Sequence, residues 1–167
     1  MSLKDVPLPR AVYIVILLGV CNCEPVVSKL RLEKLMFLMW KEVVEQSPAV
    51  LWIGGSYDFR PRPYGPGTEE IDDDVEFLVD LDLVKVTVAK ELYSEYFSYM
   101  LTEKGKQLFQ KLLVDLGKDE VFMELVRKTE EIKKQWLKED IRKLLKYIYE
   151  RYPEYSHKHM LKHLLGD

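Results

Sequence analysis

A chain of 167 residues, 47% hydrophobic and 32% charged, has the length and composition of a soluble globular domain with one respectable core. Its net charge of −3 gives no global pull toward nucleic acid or an anionic membrane. Cys21 and Cys23 lie too close for an ordinary structural bridge, which fits a reducing cytoplasm, and the single asparagine (Asn22) amid abundant Lys and Glu resembles thermophile usage.

Residues 9–21 read as a helix apolar almost all round, hence central. Lys4, Arg10 and the following AVYIVILLGVCNC resemble a signal peptide with a lipoprotein-type cleavage site. Val20 is bulky where such sites want a small residue, and the apolar run is too short to span a bilayer. A buried helix opened by Pro9, with Cys21 as a small core residue at its end, fits better. The segment from Asn22 to Val27 contains Pro25 and breaks the helix. Ser28 then caps a second helix from Lys29 to about Gln46, with Lys29, Arg31, Lys34 and Lys41 as its polar relief.

Tyr57 to Val88 is the stretch the chain is organised around. Pro61, Pro63 and Pro66 fix φ, while Gly65 and Gly67 permit turns. This loop is expected to fold back on the core, with Gly65 in a turn and the Tyr64 ring at least half buried. Thr68 caps a third helix to about Leu81, whose Ile71, Val75 and Leu78 form one apolar stripe. Glu69, Asp73, Glu76 and Asp80 cluster on the opposite side with Asp72 beside them.

Val84, Val86 and Val88 alternate, as do Phe97, Tyr99 and Leu101 after a polar connector, and predict a hairpin. Thr102 caps a helix carrying Leu108, Leu112 and Leu113. From Lys118 the pattern is helical, with Phe122, Leu125, Thr129, Ile132 and Trp136 in one seam and Leu137, Ile141, Leu144, Ile148 and Tyr152 in a rotated one. Pro153 ends it, and Ser156 caps a short last helix closed near Gly166.

The expected fold is mostly α with a small β-hairpin wing (α+β): a winged-helix core over residues 1–117 and a C-terminal helical extension over 118–167, packed as one unit. The run Arg31-Leu32-Glu33-Lys34-Leu35-Met36-Phe37 resembles the LQKL(V/L)F segment of YwgA-type proteins. The loop Tyr57-Asp58-Phe59-Arg60-Pro61 with Tyr64-Gly65-Pro66 is similar to their YxFxPYxYGP motif, with Arg62 interrupting the Pro-Tyr pair and Glu33 standing for the usual Gln. Leu81-Asp82-Leu83-Val84 and Tyr99-Met100-Leu101-Thr102-Glu103-Lys104-Gly105 resemble the segments bracketing that family's wing, and Tyr152-Pro153-Glu154-Tyr155 its late tyrosine-proline segment. Panacea-type antitoxins and phage-associated proteins share the YGP loop more distantly. The resemblance implies a winged helix in a regulatory or interaction role, with Tyr57, Phe59, Pro61, Tyr64, Gly65 and Pro66 as motif positions and no established catalytic residues to carry over.

Three surfaces carry candidate chemistry. The carboxylates Glu69, Asp72, Asp73, Glu76 and Asp80 form either a partner-binding face or a plain solvated one; they lack the apolar surroundings of a catalytic pair and the alternating ligands of a calcium loop. Lys138, Arg142 and Lys146 with Tyr149 between their turns suit a nucleic-acid backbone, though Glu139 and Glu150 blunt the field. Of His157, His159 and His163, the last two would share a helix face at zinc-compatible spacing, but no second ligand cluster exists beyond Cys21 and Cys23 at the other end, so no metal or other cofactor is expected. No phosphate loop, nucleophile elbow or HExxH run is present, which argues against an enzyme. The sequence thus supports a protein-binding module whose partner it does not identify, with DNA binding as the alternative, no membrane contact, and a homodimer left open.

Overall fold

The computed structural model describes residues 3, 7–47 and 53–155. Ser156, the stretch expected to form a last helix, and the three histidines lie outside the described residues. Helix α1 (Val12–Cys23) buries every residue from Val12 to Val20, which explains its lack of a polar face. Its regular part stops at Gly19, earlier than the sequence predicts. Val20 turns extended (ψ 162°), and Cys21, Asn22 and Cys23 are all left-handed (φ 58°, 57° and 59°), leaving Cys21 half buried rather than in the core. Two contacts fix this stop. A Cβ on Gly19 would sit 2.5 Å from the Phe109 ring, so only glycine admits that ring. The Lys133 ammonium donates to the carbonyls of Leu18 (3.3 Å) and Val20 (2.9 Å) at this end of the helix.

The break that follows is also a strand. Val26–Val27 (β1) pairs antiparallel with the later hairpin, and Ser28 N–H donates to the Phe97 carbonyl at 2.7 Å. Ser28 then caps helix α2 (Lys29–Met39) by accepting from Arg31 N–H. At Trp40–Val44 the helix widens into a π turn, closed by Glu45 N–H on the Trp40 carbonyl at 2.9 Å. Trp40 is held there edge-on by Tyr13 (5.4 Å) and Tyr57 (5.5 Å). Lys34 is not solvated: it is 1% exposed, with Nζ on Glu33 Oε1 (2.6 Å) and on the Pro66 carbonyl (2.8 Å). Tyr149, 1% exposed, is buried on the same side.

Those two residues explain the proline segment. Strands β2 (Arg60–Arg62) and β3 (Gly65–Gly67) form a small hairpin turned at Pro63 and Tyr64, with Gly65 at φ +99° just after the turn. The loop is docked on the body, but through its backbone. Gly65, Pro66 and Gly67 are buried, and a Cβ at Gly65 would lie 3.2 Å from Lys34 Cε. Tyr64 therefore sits at the tip and is 60% exposed, against the expectation of a buried ring.

Helix α3 (Glu70–Asp80) starts as Thr68 Oγ1 accepts from Glu70 N–H at 3.2 Å, and Lys104 Nζ covers the Leu81 carbonyl past its far end. Strands β4 (Val84–Glu91) and β5 (Ser94–Leu101) pair in full register, and the sheet order is β1-β5-β4. Their connection is two residues, Leu92 and Tyr93, with Leu92 at φ 50°, tighter than the predicted polar connector. Helix α4 (Glu103–Leu116) is capped by Thr102, as predicted. The late helical pattern divides into α5 (Glu120–Trp136) and α6 (Ile141–Arg151), because Asp140 accepts from Arg142 N–H and starts a second helix. Phe122, Leu125, Ile132 and Trp136 of α5 join the α1–α2 core. The fold is thus α+β, and among the described residues no helix is long and apolar enough to cross a membrane.

Lys133 gives this fold a pH signature. Burial pushes its ammonium down to about 8, against partial relief from Cys21, Cys23, Glu24 and Glu130. Between that value and the ordinary lysine range the unfolded chain holds a proton that the folded chain has released, so stability rises with pH. Burial raises Cys21, which works in the opposite sense, so the native chain alone does not isolate the effect. The unfolding free energy of the native chain minus that of Lys133→Met should grow by about 2 kcal/mol between pH 7 and 10. A pH-independent difference in denaturant midpoints would show that Lys133 is not held out of water.

Candidate functional site

The acidic side of α3 is what the sequence predicts. Glu69, Asp72, Asp73, Glu76 and Asp80 are all exposed, while Ile71, Val75 and Leu78 point inward. Asp72 pairs with Lys29 at 3.1 Å. Among the described residues Glu69, Asp73, Glu76 and Asp80 have no ion-pair partner, so four negative charges stand uncompensated on one helix face. Phe77 and Val79, 45% and 41% exposed, flank the row.

The β4–β5 hairpin adds an apolar surface beside it. Its cross-strand register places Val84, Val86 and Val88 opposite Leu101, Tyr99 and Phe97 on one face. At the base Val84, Tyr99 and Leu101 are buried; further out Val86, Val88 and Phe97 are uncovered, the last two being 55% and 51% exposed. Leu92 and Tyr93 at the tip are fully exposed. The hairpin follows α3 directly, through residues 81–83, and at its base burial and then the charge of Asp72 push the Tyr99 phenol up to about 12. Charge on the hairpin cancels, with Lys85 and Lys90 against Glu91 and Glu95, and Lys90 pairs with Glu95 at 3.7 Å.

A polar cluster that the sequence reading missed fixes the position of α3. Arg10 grips Asp74 with two bonds (Nε to Oδ2 2.8 Å, Nη2 to Oδ1 3.0 Å) and reaches Glu70 Oε2 (2.7 Å) and the Ser56 carbonyl (3.0 Å). Tyr57 donates its hydroxyl to Asp74 Oδ2 at 2.6 Å, and the guanidinium lies over the Tyr57 ring at 4.7 Å. Glu70 also accepts from Asp58 N–H and the Thr68 hydroxyl. The hydrogen bond to Asp74 raises the Arg10 pKa, while burial and then Asp74 raise that of the Tyr57 phenol. Both groups stay protonated near neutral pH, so the cluster braces α3 against the Arg10 and Tyr57 segments. One signal was available: Asp74 falls inside the apolar stripe of α3, and a buried carboxylate demands a cation. Of the motif residues, Tyr57 and Phe59 are buried here, and Pro61 is exposed on the proline hairpin.

The basic flank does not assemble. Tyr149 is buried, and burial pushes its phenol up to about 12, so it offers nucleic acid no stacking surface. Lys138 lies in the α5–α6 link rather than on a helix and pairs with Glu24 at 2.9 Å. Arg142 pairs with Asp140 at 3.2 Å and Lys146 with Glu150 at 3.9 Å. Among the described residues no three His, Cys, Asp or Glu side chains converge as a metal site would require. The chain matches no protein-family model and no curated protein sequence.

Proposed function

We propose that the protein is a non-enzymatic winged-helix interaction module that docks a basic partner protein, in an adaptor or antitoxin-like role. The helix–strand order α1, β1, α2, α3, β4, β5 with sheet order β1-β5-β4 supports the winged-helix reading, with β4–β5 as the wing. The resemblance of the Tyr57–Pro66 loop and the Thr102–Gly105 turn to YwgA-type proteins supports the role. The observation that carries it is the pairing of uncompensated carboxylates on α3 with an uncovered apolar wing face alongside. Protein interfaces combine an apolar centre with charges that steer the partner, and this face presents both.

DNA binding is the competing reading, and the charge pattern weighs against it. A helix entering a groove runs between phosphate rows, where four free carboxylates are repelled. The wing offers no net positive charge, and Lys138, Arg142 and Lys146 are each paired. In a fluorescence titration at physiological ionic strength, duplex DNA should bind no tighter than about 10⁻⁴ M, the weak end of non-specific association. Tight, salt-sensitive duplex binding that is lost on mutating α3 would overturn the proposal.

A further inference from the structure

A groove of about 660 Å³ opens between the hairpin, β1, the first turn of α2 and the α5–α6 link. Tyr96 and Ser98 line it, so it lies on the hairpin face opposite Val86, Val88 and Phe97. Its walls are mostly apolar, from Pro25, Val27, Leu30, Tyr96, Leu137 and Ile141. That volume and lining fall in the range of small-molecule sites, where a few polar groups set orientation.

The polar groups in this groove do not cancel. At the rim Glu24 and Lys138 neutralise each other. Arg31 donates Nη1 to the Trp136 carbonyl at 2.6 Å and has no ion-pair partner among the described residues. Asp140 and Glu139, whose charges it feels, are engaged by Arg142 and Lys143. Burial lowers the Arg31 pKa, as expected of a cation drawn partly out of water with no counter-ion in contact. The Ser98 hydroxyl, nearly buried, makes no hydrogen bond among the described residues. The start of α2 adds its positive end beside them.

We propose that this groove binds a small monocarboxylate with an apolar body, its anionic end on the free Arg31 guanidinium N–H groups and Ser98, its body along Leu30, Leu137 and Ile141. A planar guanidinium suits a carboxylate, and one unpaired cation with Glu24 at the rim suits a single negative charge rather than a phosphate dianion. Such a ligand touches the hairpin on one side and the late helices on the other. It would therefore fix the hairpin that carries the docking face, acting as an effector. The site itself stands on its own residues, whether or not that face binds a protein.

The test uses the full chain, isotope-labelled, titrated with octanoate and with 4-phenylbutyrate while amide shifts are followed by NMR, and then with the neutral amides of both. Saturable shifts centred on Arg31, Ser98 and Ile141 are expected from at least one carboxylate, with the amides binding about tenfold more weakly because the charge-assisted bond is gone. Arg31→Gln should bring the carboxylates down to the amide level. If that variant fails to fold, the comparison of acid with amide on the native chain carries the test. Equal binding of acid and amide, shifts centred elsewhere, or no binding of either acid at millimolar concentration would overturn the proposal.

Discussion

Gly105→Ala is expected to destabilise the fold by about 3 kcal/mol, although alanine is the better helix former. Gly105 lies in the first turn of α4, where its N–H is held by Thr102 Oγ1 at 3.0 Å. A Cβ there would fall 2.1 Å from the Leu83 carbonyl oxygen and 3.2 Å from Leu101 Cβ. The obstacle is backbone, and it cannot retreat freely. Leu83 O accepts from Thr102 N–H at 3.0 Å, and the adjacent pair Val84–Leu101 starts the hairpin ladder. Helix propensity alone gives the opposite sign, a gain of about 0.5–1 kcal/mol. A denaturant midpoint equal to or above that of the native chain would therefore refute the close approach of the Leu83 carbonyl to α4.

Asp74→Ala should also cost about 3 kcal/mol, at the low end for a broken buried ion pair because Arg10 and Asp74 keep partial contact with water. Their side chains are 23% and 13% exposed. The loss has two parts: a guanidinium left with Glu70 alone as its charged partner, and a Tyr57 hydroxyl without its acceptor. Asp74→Asn should cost less, since the amide oxygen still accepts from Tyr57. The double variant Arg10→Met with Asp74→Ala should fall well short of the sum of its parts, because the second change removes a charge already orphaned by the first. Additive losses would mean that the two residues stabilise the fold separately.

These two sites differ in how legible they are from sequence. The Thr102 cap, the valine alternation of β4 and the α3 stripe are local patterns, written within a few residues, and the structure reproduces them. Arg10 and Asp74 are 64 positions apart, and Lys133 meets the α1 carbonyls from 113 and 115 positions away. No periodicity encodes such partners. Lys34 misleads for the same reason: on a helix it reads as solvated relief, and only the Pro66 carbonyl 32 positions on explains its burial. Tyr64 misleads through its chemistry. A tyrosine between proline and glycine suggests a docking ring, whereas the glycines let the backbone itself approach Lys34 and Tyr149 and leave the ring outside. The acidic face of α3 was legible, and its apolar neighbour on the hairpin was not, because strand alternation marks Val86, Val88 and Phe97 as core-facing until the hairpin is seen to extend past the body that would cover them.

Site-specific photocrosslinking tests that combined face most directly. A photoreactive phenylalanine analogue placed at Phe97, and in a parallel sample at Lys146 on α6, would be irradiated in extracts of the source cells. Position 97 is expected to yield one discrete protein adduct, which high salt and amide replacement of Glu69, Asp73, Glu76 and Asp80 both suppress, while position 146 yields none. Stability should change by only a few tenths of a kcal/mol in the amide variant, so loss of the adduct would report docking rather than unfolding. An adduct formed only from position 146, or one from position 97 that is indifferent to salt and to the four amides, would contradict the assignment of this face as the docking surface.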